Sequence, residues 1–179
     1  RSEGKPNGFE KAEYLKFLEQ KQKTHILSGF DVELTDLNKS MFDFQKFIVK
    51  RALKAGKYAI FADCGLGKTL MQLEWANQVN KQTNKPVLIL APLAVAGQTI
   101  KEGAKFHIDI CKYDGSNAPI QISNYEQLEN IDCSLFSGVV LDESSILKNF
   151  EGAIKQAITS FLRKVKYRFL FTATPSPND

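Results

Sequence analysis

Phe61 to Leu70 reads FADCGLGKTL, with an apolar approach before it and MQLEWANQV after it. From Ala62 to Thr69 it runs as a small residue, four free positions, then glycine, lysine and threonine. That is the spacing of a phosphate-binding loop set between a strand and a helix. Across Cys64, Gly65, Leu66 and Gly67 the backbone can turn its amides toward one point, and a helix starting here adds positive potential. Lys68 then reaches terminal phosphates, the Thr69 hydroxyl ligates magnesium, and Leu70 closes the expected nucleotide-binding run. A glycine-rich turn with a chance lysine is the plain alternative, but it leaves the strand before and the helix after unexplained.

Outward from this loop the chain alternates. YAIFA, PVLIL, GVVLD and YRFLFTAT read as buried strands, with a shorter candidate at IQIS. FDFQKFIVKRALKAG has helical spacing and stops at Gly56, and FEGAIKQAITSFL repeats Phe150, Ala153, Ile154, Ala157, Ile158 and Phe161 at intervals of three and four. Strands alternating with amphipathic helices predict an α/β fold, a mostly parallel sheet covered by helices on both faces. Ahead of this body, FEKAEYLKFLEQKQKT predicts a short surface helix capped by Asn7, and GFDVELTDLNKS reads as a connector.

A phosphate loop needs an acidic partner farther along the sheet. GVVLDESS ends an apolar run at Asp142 and Glu143, placing both acids at the carboxyl edge of a buried strand, where open sheets bind ligands. Asp142 is expected to hold magnesium and Glu143 to polarise water as general base. An acidic helix cap is the competing reading of the same residues.

These residues, taken together, resemble the first RecA-like domain of a superfamily-two helicase or translocase, nearest the Swi/Snf-like and DEAD/DEAH-related branch. The resemblance covers residues 41–179. FDFQKF resembles the adenine-recognising glutamine motif, with Gln45 as reader and Phe42 or Phe44 as apolar neighbour. DCGLGKT is similar to motif I, LILAPLAVAGQTIKE to motif Ia, ISNYEQL to motif Ib, LDESS to motif II and TATPSPN to motif III. Motif II departs from the DEAD and DEAH spellings at Ser144 and Ser145. The resemblance implies a three-layer RecA-like P-loop domain that uses ATP and Mg2+ to drive movement on nucleic acid, DNA in preference to RNA. It also implies a second RecA-like domain, following Asp179, that supplies arginine fingers, so that residues 1–179 alone bind ATP and barely hydrolyse it.

The residues of the further motifs suit those roles. The Gln45 amide both donates and accepts, as an adenine edge does. Pro92 and Leu93, and Ser123, Asn124 and Tyr125, each follow a strand, where backbone amides and hydroxyls can meet phosphate oxygens of nucleic acid. Thr172 and Thr174 end the last strand beside the acids, and the resemblance assigns such hydroxyls to coupling between nucleotide and nucleic acid. Ordinary capping and a plain β-branched strand end are the alternatives for these positions.

Composition bounds the rest. The 179 residues are 43% hydrophobic with a formal charge of +4, which permits a polyanionic partner without demanding one. No apolar run approaches the roughly 20 residues of a membrane span. Cys64, Cys111 and Cys133 lack the close pairs of a zinc site and suit a reducing, cytoplasmic setting. His25 and His107 have no partner at metal spacing, and Trp75 with Leu73 and Val79 is expected to pack the helix after the loop. Arg163, Lys164, Lys166 and Arg168 are expected on a solvated face at a helix end. The domain division expected is a helical lead and connector at 1–40 and a RecA-like ATP-binding domain at 41–179. A nucleotide-gated protein-interaction module is the functional alternative, and a small-molecule kinase would leave DESS and TATP without a role.

Overall fold

The computed structural model describes residues 27–61, 67–142 and 152–172. The lead helix expected within residues 9–24 lies outside them. In chain order the elements are α1 (Asp43–Ala55), β1 (Lys57–Phe61), α2 (Lys68–Thr83), β2 (Val87–Leu90), α3 (Leu93–Lys105), β3 (Cys111–Lys112), β4 (Ile120–Ser123), β5 (Gly138–Asp142), α4 (Ala153–Lys164) and β6 (Tyr167–Thr172). Short 3-10 turns occupy Leu34–Asp36, Tyr125–Asn130 and Cys133–Leu135. The first of them stands inside the expected connector.

All described strand pairs are parallel, and the sheet order is β1-β6-β5-β2-β4-β3. The α/β class arises from the alternation, and the strands fall where the apolar runs predict them. β3 is the addition: two residues on the sheet edge, defined by their pairing with Gln121 and Ile122 of β4.

Period-two alternation divides each strand between two cores. Val87 and Ile89 of β2, Val140 of β5 and Phe169 of β6 face one side, where α1, α2 and α3 cover them. Leu88, Leu90, Val139 and Leu141 face the other side and pack with Ile158 and Phe161 of α4 and with Tyr125, Leu128 and Phe136. Both faces are therefore buried, which is why β2 has no polar position in VLIL.

Trp75 anchors the first core. It is fully buried and stacks on Phe169 at 5.5 Å between centroids, and Phe169 in turn meets Phe171 edge-on at 4.6 Å. Such ring pairs contribute about 0.5–1.5 kcal/mol beyond the area they bury. Gly138 opens β5 beneath that indole: a Cβ there would stand 3.2 Å from both Trp75 and Val79. The sheet thus accepts the large ring by giving up a side chain opposite it.

Among the described residues no helix is long and apolar enough to cross a membrane, and no group of acids, histidines and cysteines could hold a metal ion by itself. Arg163, Lys164 and Lys166 are exposed as expected. Arg168 differs: it lies within β6, half-buried, with its Nε shielded from water, and that burial lowers its pKa.

Candidate nucleotide and nucleic-acid site

Three adjacent strands end level with one another. Phe61 of β1 pairs with Thr172 of β6, and Phe171 of β6 pairs with Asp142 of β5. β6 therefore lies between the strand that leads into the phosphate-loop motif and the strand that ends at Asp142. Parallel pairing sends the chain off the same edge at the ends of β1 and β5, although Phe61 and Asp142 are 81 positions apart.

Of the loop itself, the described portion is its last residue and the helix that continues it. Gly67 takes a left-handed conformation, φ 68° and ψ 43°, as N-cap of α2. An added Cβ there would be strained by the backbone and would also collide with Gln45 Nε2. Lys68 and Thr69 are the first residues of α2 and stand near its electropositive end, 16 residues long in all, while Leu70 is buried. Cys64, Gly65 and Leu66 lie outside the described residues.

Gln45 comes to this place from a different element. It is 4% exposed in the first turn of α1, its Oε1 accepts a hydrogen bond from the Phe42 amide at 2.9 Å, and its Nε2 abuts Gly67. The glutamine motif and the phosphate-loop motif are thus in contact. Phe42 and Phe44 flank it on the surface, 70% and 46% exposed, with rings 6.1 Å apart and nearly parallel at 9°.

Asp142 ends β5 half-buried, and its main-chain carbonyl accepts a hydrogen bond from the Tyr125 hydroxyl at 3.0 Å. Glu143 and Thr174 lie outside the described residues, and Thr172 is described through its backbone pairing.

The segments expected to touch nucleic acid sit at the same edge. Ser123 pairs with Leu90, and its carbonyl accepts from the Ala91 amide at 3.0 Å, which holds the turns after β2 and β4 side by side. Pro92 is the N-cap of α3, and Leu93 comes next, 68% exposed. Asn124 caps the next turn, its Oδ1 accepting from the Gln127 amide at 3.0 Å.

Tyr125 requires a correction. Its side chain is 1% exposed within the second core, so it is not a surface contact for phosphate. Burial, and then the nearby Asp142 charge, push its phenol far above the usual tyrosine range, which keeps the hydroxyl a proton donor.

One buried polar pair is absent from the expectations. Gln78 Nε2 donates to Glu74 Oε1 at 2.7 Å and lies 3.2 Å from the carbonyl of Asp36. Both side chains are buried on α2, and desolvation raises the Glu74 pKa. The signal in the sequence is their position: Met71, Glu74 and Gln78 recur at helical spacing, so the polar pair interrupts an inward stripe.

No protein-family profile matches the chain, and no curated protein matches it. Solved structures do. The Sulfolobus solfataricus SWI2/SNF2 ATPase core in complex with dsDNA aligns with TM-score 0.66 at 23% identity, covering 80% of this chain and 34% of that one. The UvsW helicase of bacteriophage T4 aligns at 0.62 and 18%, covering 90% and 60%, and the Pyrococcus furiosus Hef helicase domain at 0.61 and 19%, covering 80% and 35%. At these identities the likeness is one of fold, which is the RecA-like α/β fold of helicase and SWI2/SNF2 ATPase cores. The chain spans between about a third and three fifths of the structures it matches.

Proposed function

We propose that this chain binds ATP with magnesium and forms the first RecA-like domain of an ATP-dependent DNA helicase or translocase of the Swi/Snf-like branch. The observation that supports this reading is the ending of β1, β6 and β5 on one edge, since β1 leads into the phosphate-loop motif and β5 ends at Asp142. The residues present suit the nucleotide. Gly67 has a left-handed backbone that disfavours a side chain, Gln45 abuts it, and the exposed Phe42 and Phe44 flank that glutamine in sequence.

In this proposal Lys68 neutralises phosphate charge at the start of α2, and Thr69 and Asp142 hold the metal. Gln45, Phe42 and Phe44 take the adenine end. Glu143 accepts a proton from the attacking water at its carboxylate. When bound, magnesium ATP supplies the phosphoryl group whose transfer to water drives the cycle. Thr172, which ends β6, and Thr174 couple that cycle to nucleic acid. The edge formed by Pro92, Leu93, Ser123 and Asn124 contacts the phosphates of DNA, giving weak, salt-sensitive binding with little sequence preference.

A second RecA-like domain beyond Asp179 completes the site with an arginine, worth roughly a thousandfold to a hundred-thousandfold in related phosphate-loop enzymes. The test is steady-state ATP hydrolysis, with and without DNA, by residues 1–179 and by a protein extended through that second domain. DNA-stimulated turnover is expected of the longer protein alone. Glu143→Gln in it should bind ATP and turn over poorly. Nucleotide binding without any DNA stimulation of the longer protein would favour a nucleotide-gated interaction module instead.

A further inference from the structure

Tyr125 is fully enclosed among Leu88, Leu90, Val139 and Leu141 and the other members of the second core. A phenylalanine would fill that space equally well, so packing does not explain the hydroxyl. A buried hydroxyl needs a partner, and this one donates to the main-chain carbonyl of Asp142 at 3.0 Å, 17 residues away in sequence. The ladder between β2 and β5 runs as far as Leu90 and Leu141, and the hydroxyl carries the attachment one residue farther, onto the residue that ends β5 at the nucleotide edge.

We propose that Tyr125 is a positioning residue for the nucleotide site: its hydroxyl fixes the main chain at Asp142 and so sets where that carboxylate meets the metal. This rests on the reading of Asp142 as the acid that holds magnesium. Tyr125 touches neither nucleotide nor metal. It acts through the peptide group of Asp142, and it ties that group to the turn Tyr125–Asn130, which comes after β4 at the candidate nucleic-acid edge.

The experiment is titration of the 179-residue chain with a fluorescent ATP analogue, once with magnesium and once with EDTA, for wild type, Tyr125→Phe and Ser137→Ala. Ser137 immediately precedes β5, and its hydroxyl is hydrogen-bonded to that of Thr83 at 2.9 Å. Its removal costs a side-chain hydrogen bond at the far end of the same strand. Thermal melts of all three proteins establish that each is folded and how far each is destabilised.

Tyr125→Phe should reduce the gain in affinity that magnesium confers by about three- to tenfold, the worth of one hydrogen bond, and leave the metal-free affinity unchanged. Ser137→Ala should keep the full gain. An undiminished magnesium gain in Tyr125→Phe overturns the assignment, as does an equal loss in Ser137→Ala or an equal fall in the metal-free affinity of Tyr125→Phe. Failure of the wild-type chain to bind the analogue under either condition would sink the nucleotide reading itself, and the assignment with it.

Discussion

The two edges of the sheet are built from similar residue types and arrange them differently. At the amino edge a cavity of about 730 Å³ opens among Thr83, Lys85, Asp132, Ser134, Lys164 and Lys166. Its polar groups largely serve one another. The Thr83 and Ser137 hydroxyls are 2.9 Å apart, Ser134 Oγ donates to Asp132 Oδ1 at 2.6 Å, and the Lys166 ammonium lies over the Tyr167 ring. Toward the carboxyl edge, β5 ends at Asp142, and Gln45 of α1 abuts Gly67, the left-handed residue that precedes Lys68 at the start of α2. Strand direction is what points to the carboxyl edge as the candidate site, because in a parallel sheet the segments leaving the carboxyl ends gather on one side.

The largest effect should come from Lys68→Ala, which is expected to abolish ATP binding or nearly so. Calorimetric affinity equal to wild type would break the comparison outright.

Gly67→Ala should come second, forcing a side chain into a left-handed backbone and against Gln45. The left-handed conformation alone costs about 1–2 kcal/mol, and nucleotide affinity should drop by about tenfold or more. An alanine variant that binds as wild type would mean that the contact between the two motifs is incidental.

Phe169→Ala tests what supports both edges, since this ring is central, fully buried and stacked on Trp75. Denaturant unfolding should show a loss of about 3–5 kcal/mol. A much smaller loss would place the main core elsewhere.

Glu74 sharpens the comparison through pH. Its carboxyl is raised from an ordinary value of 4.5, burial being the main cause, so the native state retains a proton that the unfolded chain releases. Its contribution is fully present below about pH 4.5 and is lost as pH rises through the folded value. Glu74→Gln should remove that component of the slope of stability against pH. An unchanged slope would show that Glu74 is not its source. The smallest effect belongs to the amino edge, where Lys85→Ala combined with Lys164→Ala should leave nucleotide affinity unchanged. A fall approaching that of Lys68→Ala would move the site to the cavity.

Much of the fold was legible because it depends on local pattern. The run of β2 is apolar throughout, and that of β5 as far as Leu141, since both faces are covered, and α1 stops at Gly56 where the sequence predicts it. β3 was not legible. Two residues have no period, and Cys111–Lys112 is a strand only by virtue of β4 beside it. Tyr125 shows the same limit at the site. Its neighbours Ser123 and Asn124 mark a turn after a strand, but nothing in SNYEQL tells a tyrosine pointing out from one pointing in. Arg168, too, looks like one more cation in a basic cluster until pairing places it on an inner strand.

By itself the sequence determined the alternation of strand and helix and the spacing that puts Lys68 and Thr69 at a helix start. It also determined the termination of an apolar strand at Asp142. These are consequences of periodicity and of glycine and charge placement along short windows. Tertiary structure alone decided the strand order that inserts β6 between β1 and β5, the contact of Gln45 with Gly67, and the bond from Tyr125 to the Asp142 carbonyl. The nearest of these partners are 17 residues apart in the chain, and the β1 and β6 partners are separated by most of the domain. A contact over such a separation is chosen by the packing of the whole sheet, and no local window of the chain carries its energy.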